Sequence, residues 1–204
     1  MGKAAEKDTR IAAIVLAAGM STRMGQQKLL LPWGKETVIS QIIGTIQKAG
    51  LIQIIVVTGK EDRELNLVLS QLPITQVINS DYANGSMVTS LQKGLAAIQD
   101  KNVAAFMIFL GDQPTVQVDT IHSIIEAYLR SGSDIVIPSF QLHQGHPWLI
   151  DRKLWVEIQN LTSENTMKDF LAQRKKSIQY VIVDSPTVLQ DMDTPEEFRK
   201  IKPA

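Results

Sequence analysis

Leu16-Ala-Ala-Gly-Met-Ser-Thr-Arg-Met-Gly-Gln-Gln-Lys28 decides how the rest of the chain is read. Immediately before it, Ile11-Ala-Ala-Ile-Val-Leu16 is an apolar run long enough for one strand buried on both faces. Immediately after it come Leu29-Leu-Leu-Pro32 and a stretch of helical periodicity. A glycine-rich loop leaving the end of a buried strand, with Arg23 and Lys28 on it, is a place to hold phosphate. Gly19 and Gly25 permit backbone conformations closed to other residues, so several N–H groups can turn toward one anion. Arg23 adds a planar fork and Lys28 a flexible point charge. The stretch reads as a nucleoside triphosphate site. It is not a Walker A sequence, since Lys28 is not followed by Ser or Thr, and it does not match GxGxxG. An ordinary strand-to-helix loop with two solvated cations is the plain alternative.

Outward from this loop, strands and helices alternate. A helix is expected from Gly34-Lys35 to about Lys48, stopped by Gly50, and a strand over Ile52–Val57. A helix over Glu61–Leu72 closes at Pro73, followed by a short strand at Thr75–Ile78. Turn chemistry at Asn79–Gly85 leads to a helix from Met87 to Ile98. A strong central strand, Val103–Leu110, ends in Gly111-Asp-Gln-Pro114. A helix at Val118–Leu129 and a strand at Asp134–Pro138 complete the alternation, which implies a mostly parallel sheet with helices on both faces. After Pro138 the rhythm breaks. Gly145–Ile150 reads as a loop entering a strand that need not be parallel to the others. Two short helices, Lys153–Asn160 and Thr166–Gln173, precede a strand at Tyr180–Val183 and a last helix at Pro195–Ile201. The expected architecture is α/β, a three-layer doubly wound sheet with an elaborated C-terminal third. One domain over residues 10–204 is expected, after a disordered leader at residues 1–9.

Composition narrows the function. At 204 residues the chain can bury a substantial core. Its 21 basic and 21 acidic side chains cancel, which argues against a broad nucleic-acid footprint. Any anion must be bound by locally placed charge. No apolar run reaches the roughly 18 residues of a membrane span, and the start lacks the apolar region of a secretory signal. The chain has no cysteine, so disulfides and thiolate metal sites are excluded. A cytoplasmic protein is expected.

Away from the loop, residue chemistry leaves several readings open. Asp112 stands just past a buried strand, facing the crevice where open α/β sheets bind ligands, and a nucleoside triphosphate needs a divalent ion held by such oxygens. An Asp–Pro turn is the structural alternative. In Asp191-Met-Asp193-Thr-Pro-Glu-Glu197, Thr194 and Glu197 have capping-box spacing and Pro195 suits a first helical turn. Asn79 reads as a turn residue and His146 as a lone structural or surface histidine. No other histidine pairs with His146 at zinc spacing. Arg174-Lys-Lys176 reads as a solvated helix end.

The stretch Leu16–Pro32 resembles the signature of the nucleotidyltransferases that share a glycosyltransferase-A-like fold. Within them it is most similar to the molybdenum cofactor cytidylyltransferases, with the guanylyltransferases as a nearby branch. The resemblance covers about residues 11–200 and implies a Rossmann-like sheet of the nucleotide-diphospho-sugar transferase type. It implies Mg²⁺-dependent nucleotidyl transfer, with Arg23, Lys28 and Asp112 as the catalytic groups. Nucleotide contacts would come from Leu16, Ala17, Ala18, Gly19, Ser21, Lys28, Asn79 and Gly111. Asp112 and Asp193 would hold the metal, with Asp191 the weaker candidate. Ser90 and His146 would face the acceptor. Ser86 puts the Gly85–Leu91 block one residue out of step with the family. Ser163-Glu-Asn-Thr-Met-Lys168 departs from the family's Gly-Asp-x-Gly-Ala-Arg where a pterin is expected.

The implied reaction is attack of an acceptor phosphate on the α-phosphorus of CTP or GTP, releasing pyrophosphate. The acceptor would be molybdopterin and a molybdoenzyme would receive the product. Ala17-Ala18 stands where the guanylyl branch tends to show Gly, which favours the smaller pyrimidine and hence CTP. Three alternatives are a sugar phosphate or other small phosphate as acceptor, a catalytically silent nucleotide- or cofactor-binding chaperone, and an α/β scaffold acting through a partner interface.

Overall fold

The computed structural model describes residues 9–19, 24–59, 62–82, 87–162 and 164–203. All but Thr9 of the expected leader lies outside them. The first strand, β1 (Ile11–Ala17), is the central one. It pairs in parallel with β4 (Gln53–Thr58) on one side and with β6 (Ala105–Leu110) on the other, Ile14 standing beside both Ile55 and Ile108. Alternation along β1 divides the core. Ile11, Ala13, Val15 and Ala17 join one buried cluster, and Ala12 and Ile14 the other. Both faces are covered, so the strand has no polar face and reads as an unbroken apolar run.

On the first face lie α1 (Val38–Lys48), α2 (Arg63–Ser70) and α4 (Val118–Ser131). On the second lie α3 (Met87–Ala96), α5 (Trp155–Gln159) and α6 (Met167–Ala172). The chain runs outward from β1 to β4 and β5 (Thr75–Ile78), then returns across β1 to β6. The strand order therefore reverses beside β1, which places a crevice at the C-terminal ends of β1 and β6.

The C-terminal third adds β7 (Ile135–Phe140), β8 (His143–Gln144), β9 (Trp148–Asp151) and β10 (Ile178–Ile182). β9 slots between β6 and β7 and runs antiparallel to both, so the sheet is mixed, in the order β10-β7-β9-β6-β1-β4-β5 with β8 pairing β7. The last helix, α7 (Pro195–Ile201), carries the expected capping box between Thr194 and Glu197.

Two local expectations are corrected. The helix expected from Gly34-Lys35 starts only at Val38, where Thr37 accepts a hydrogen bond from Ser40 N–H. The residues before it form a small hairpin, β2 (Pro32–Trp33) and β3 (Glu36–Thr37). The helix expected over Lys153–Asn160 is split, a 3-10 turn at Arg152–Leu154 leading into α5. No helix among the described residues is long and apolar enough to cross a membrane.

Candidate active site

At the end of β1, Gly111 N–H donates to Leu16 O at 2.9 Å, so the loops leaving β1 and β6 emerge side by side. Between them opens a cleft of about 320 Å³ lined by Leu16 to Gly19, Lys28, Tyr82, Ser90, Gly111 and Asp112, among others. Lys28 enters it from a 3-10 turn whose Leu29 is buried in the core, with Leu31 behind it. The apolar anchors fix the turn, and Lys28 itself is only 8% exposed. Gly25 has φ +67°, the left-handed conformation expected of it. Gly19 does not; a Cβ there would meet nothing within 4 Å, so the backbone at Gly19 offers open approach to the cleft.

A buried ammonium requires partners. Lys28 Nζ has two, Asp112 Oδ2 at 2.7 Å and Asp193 Oδ1 at 3.2 Å. These three side chains come from the β1 loop, the β6 loop and the segment before α7. Asp193 is held by the cap of α7, its N–H donating to Glu197 Oε2 at 3.0 Å, so helix capping and carboxylate placement are one arrangement. Met192, fully buried, fixes the same segment from below. Among the described residues no group of three or more His, Asp or Glu side chains could hold a metal. Asp112 and Asp193 nevertheless converge on a single cationic point. Two carboxylates plus substrate phosphates are a donor set that a hard divalent ion accepts. Asp191 accepts a hydrogen bond from Gln113 Nε2 at 2.8 Å. Burial pushes its carboxyl up; the Gln113 hydrogen bond opposes this, and Asp112 and Asp193 add to it. Sequence reading singled out neither Gln113, although it stands between Asp112 and Pro114 in the quoted stretch, nor Tyr82 in the Asn79–Gly85 turn.

A second cavity, of about 670 Å³, adjoins the first, and Met87 lines both. Its wall includes His146 and Trp148, whose rings stack with centroids 4.3 Å apart. Gly145 permits this corner: a Cβ there would stand 2.4 Å from Val188 O, against which His146 N–H donates at 3.0 Å. Among the described residues His146 Nε2, itself buried, has no hydrogen-bond partner, and burial lowers the imidazole pKa from 6.5 to about 4, leaving the ring neutral at pH 7.

The structure thus brings Leu16, Ala17, Ala18, Gly19, Lys28, Gly111 and Asp112 to one cleft and sets Asp193 against it through Lys28. Ser90, expected at the acceptor, lines the first cleft. Asn79 lies fully buried beneath Ser90, donating to its Oγ at 2.9 Å and accepting from Asp81 N–H, so its side chain supports that wall and is not among the cleft's lining residues. Arg23 and Ser21 lie outside the described residues, as do Gly85, Ser86 and Ser163. Of the presumed solvated helix end, Arg174 lies over the Phe170 ring and pairs with Glu157, while Lys175 lines the second cavity.

The profile of the MobA-like NTP transferase domain matches residues 13–178. The chain belongs to this family. The molybdenum cofactor cytidylyltransferase of Escherichia coli K12 is 30% identical over 92% of the chain and 93% of its own length. A probable molybdenum cofactor guanylyltransferase of Bacillus mycoides is 28% identical over 64% of the chain and 62% of its own. Among solved structures, Rv0371c of Mycobacterium tuberculosis H37Rv superposes with a TM-score of 0.82 at 25% identity, covering 95% of this chain and 97% of that one. Its manganese complex gives 0.78 at 24%, covering 95% and 98%. The MobA-like assignment makes the chain a nucleotidyltransferase, and the mixed, mostly parallel sheet is the family's architecture.

Proposed function

We propose that this MobA-like enzyme transfers a cytidylyl group from CTP to the terminal phosphate of molybdopterin or the molybdenum cofactor, in the cytoplasm, with Mg²⁺ and release of pyrophosphate. One observation carries the reading: two cavities share Met87, and the first, at a strand-order reversal, is lined by the Lys28 ammonium and the Asp112 carboxylate, with Asp193 on the same ammonium. The triphosphate lies along Gly19 to Lys28, with the base over Ala17 and Ala18. Asp112 and Asp193 hold the metal, which when bound neutralises phosphoryl oxygens. Lys28 leaves its carboxylates for the departing pyrophosphate and offsets the charge that builds there. The acceptor lies in the second cavity with its phosphate directed past Met87 toward the cleft. Its nucleophile is already an anion, so no strong base is needed, and catalysis comes from alignment and charge neutralisation. The Escherichia coli relative supports CTP; the Bacillus mycoides relative supports GTP as the second reading.

The test is pyrophosphate release from CTP or GTP with molybdopterin, glucose 1-phosphate or no acceptor, in Mg²⁺, Mn²⁺ or EDTA. Release that requires CTP, molybdopterin and a divalent ion together is expected. Turnover of glucose 1-phosphate alone would replace the acceptor, and nucleotide binding without any turnover would sink the catalytic reading.

A further inference from the structure

Asp112 and Asp193 converge on one ammonium but are carried by separate parts of the chain, the loop after β6 and the segment before α7. Gln113 joins those parts. It follows Asp112 directly, and its N–H donates to Leu110 O at 3.3 Å, closing the turn on which Asp112 stands. Its side chain reaches the other segment: Nε2 donates to Asp191 Oδ1 at 2.8 Å and lies 3.5 Å from Val188 O. Asp191 and Asp193 flank the fully buried Met192, so the bond is made next to the anchor of Asp193. A second tie, Thr115 Oγ1 donating to Thr187 O at 3.3 Å, holds the turn upstream and reaches neither carboxylate. Gln113 is not among the residues lining the first cleft, so it acts on that cleft through its neighbours.

Packing does not explain an amide here. Gln113 is only 4% exposed, and among the described residues its Oε1 is buried without a hydrogen-bond partner, a cost that a leucine of similar size avoids. Asp191 does not depend on the amide either, because it is an exposed residue with water as an alternative partner. What the bond supplies is a fixed span between two acidic loops. Lys28 supplies the same span only while its ammonium stands between Asp112 and Asp193. We propose that Gln113 is a positioning residue, whose bond to Asp191 keeps Asp112 and Asp193 at a separation that a divalent ion can bridge once the ammonium has moved to the nucleotide. This inference rests on the reading of Asp112 and Asp193 as the metal-holding pair. Groups behind ligating carboxylates orient them, and losing one costs roughly 10- to 100-fold in metal affinity.

Three variants test it. Gln113→Leu keeps the bulk and removes the bond. Gln113→Glu sets a carboxylate against that of Asp191. Gln113→Glu/Asp191→Asn remakes the bond with donor and acceptor exchanged and returns the pair to its original net charge. Binding of CTP, and in parallel of GTP, is measured by calorimetry across a series of Mg²⁺ concentrations and in EDTA, and urea unfolding of the metal-free proteins reports on folding. Gln113→Leu is expected to raise the Mg²⁺ concentration for half-maximal nucleotide binding about tenfold, with affinity in EDTA and the unfolding midpoint close to wild type. Gln113→Glu raises it further, and the exchanged pair recovers most of the loss. Pyrophosphate release should show the same shift in half-saturating Mg²⁺. A Gln113→Leu variant that is destabilised and weakened equally with and without Mg²⁺ marks a structural role and overturns the proposal, as does an exchanged pair no better than Gln113→Glu. Mg²⁺-dependent binding in the wild type that Gln113→Leu leaves unmoved removes this inference alone. Wild-type nucleotide binding indifferent to Mg²⁺ removes the metal-pair reading and this inference together.

Discussion

The two cavities that meet at Met87 are built by different means. The first cleft is made where β1 and β6 end, from consecutive backbone at Leu16–Gly19 and Gly111–Asp112, with the buried Lys28 ammonium. The second cavity is made from side chains on four separated pieces of chain: the start of α3, the strap from Gln144 to Trp148, α6 and the turn after it, and β10. One site is fixed by the sheet and tuned by charge; the other is fixed by packing and tuned by whatever side chain each segment supplies. Changes on the first side should therefore alter chemistry at constant fold, and changes on the second should couple substrate choice to stability.

Asp112→Asn gives the sharpest contrast. On the proposed function it removes a carboxylate that faces the reacting phosphates, and a drop on the order of 10²–10³ in kcat is expected, the scale of one lost electrostatic group. Pyrophosphate release checks this, while pterin affinity stays close to wild type; the thermal midpoint should fall, because the buried Lys28 ammonium keeps only Asp193 of its two carboxylates. A matching loss of pterin affinity would show the two cavities to be one unit.

Acid should act on the other side. The His146 pKa is lowered by burial from 6.5 to about 4, so the native state excludes a proton that the unfolded chain accepts. Stability from this group is fully present above pH 6.5 and is lost as pH falls toward 4, in total about 3 kcal/mol. Urea unfolding of wild type and His146→Gln at pH 7 and 4.5 measures it. The variant should show a flatter pH dependence, and parallel profiles would refute the assignment.

Gly145→Ala tests the packing itself. A Cβ 2.4 Å from Val188 O forces the strap off the 186–189 turn, and overpacking of this kind costs about 1–3 kcal/mol. Chemical denaturation should report that loss, accompanied by weaker pterin binding and unchanged CTP binding. The smallest effect is expected at Ala18→Gly, where losing one methyl from the cleft should move the CTP/GTP ratio toward GTP by only severalfold. A ratio that does not move would place base selection elsewhere.

The same contrast explains what could be read in the sequence. β1, β6, α7 and their neighbours declared themselves because buried parallel strands are uniform apolar runs, and because Pro73, Gly50 and Thr194 punctuate the chain. That Asp112 faces the crevice beside the glycine loop could be read from its place at a strand end, but its ion pair with Lys28 could not. The hairpin at Pro32–Thr37 did not, since two-residue strands carry no periodicity and its Gly34-Lys35 turn abuts a strong helical pattern. The insertion of β9 between β6 and β7 is a spatial reversal that leaves no local trace. Nor could the sequence separate Arg174 from Lys175: one residue of helical rotation puts the first over Phe170 and the second in the cavity. Asn79 and Ser90 meet below the first cleft, and which of them is beneath the other depends on the packing of α3 over β1 and β4, which no local pattern states.

Lys28 has one more consequence. Asp112 and Asp193 share its ammonium, so the site supplies a counter-ion of its own. Were these carboxylates the metal ligands proposed above, a divalent ion would have to displace the ammonium, a tethered competitor of high effective concentration. A metal–nucleotide complex would bring both the replacement cation and a phosphate partner for the displaced ammonium, so metal and nucleotide binding would be coupled.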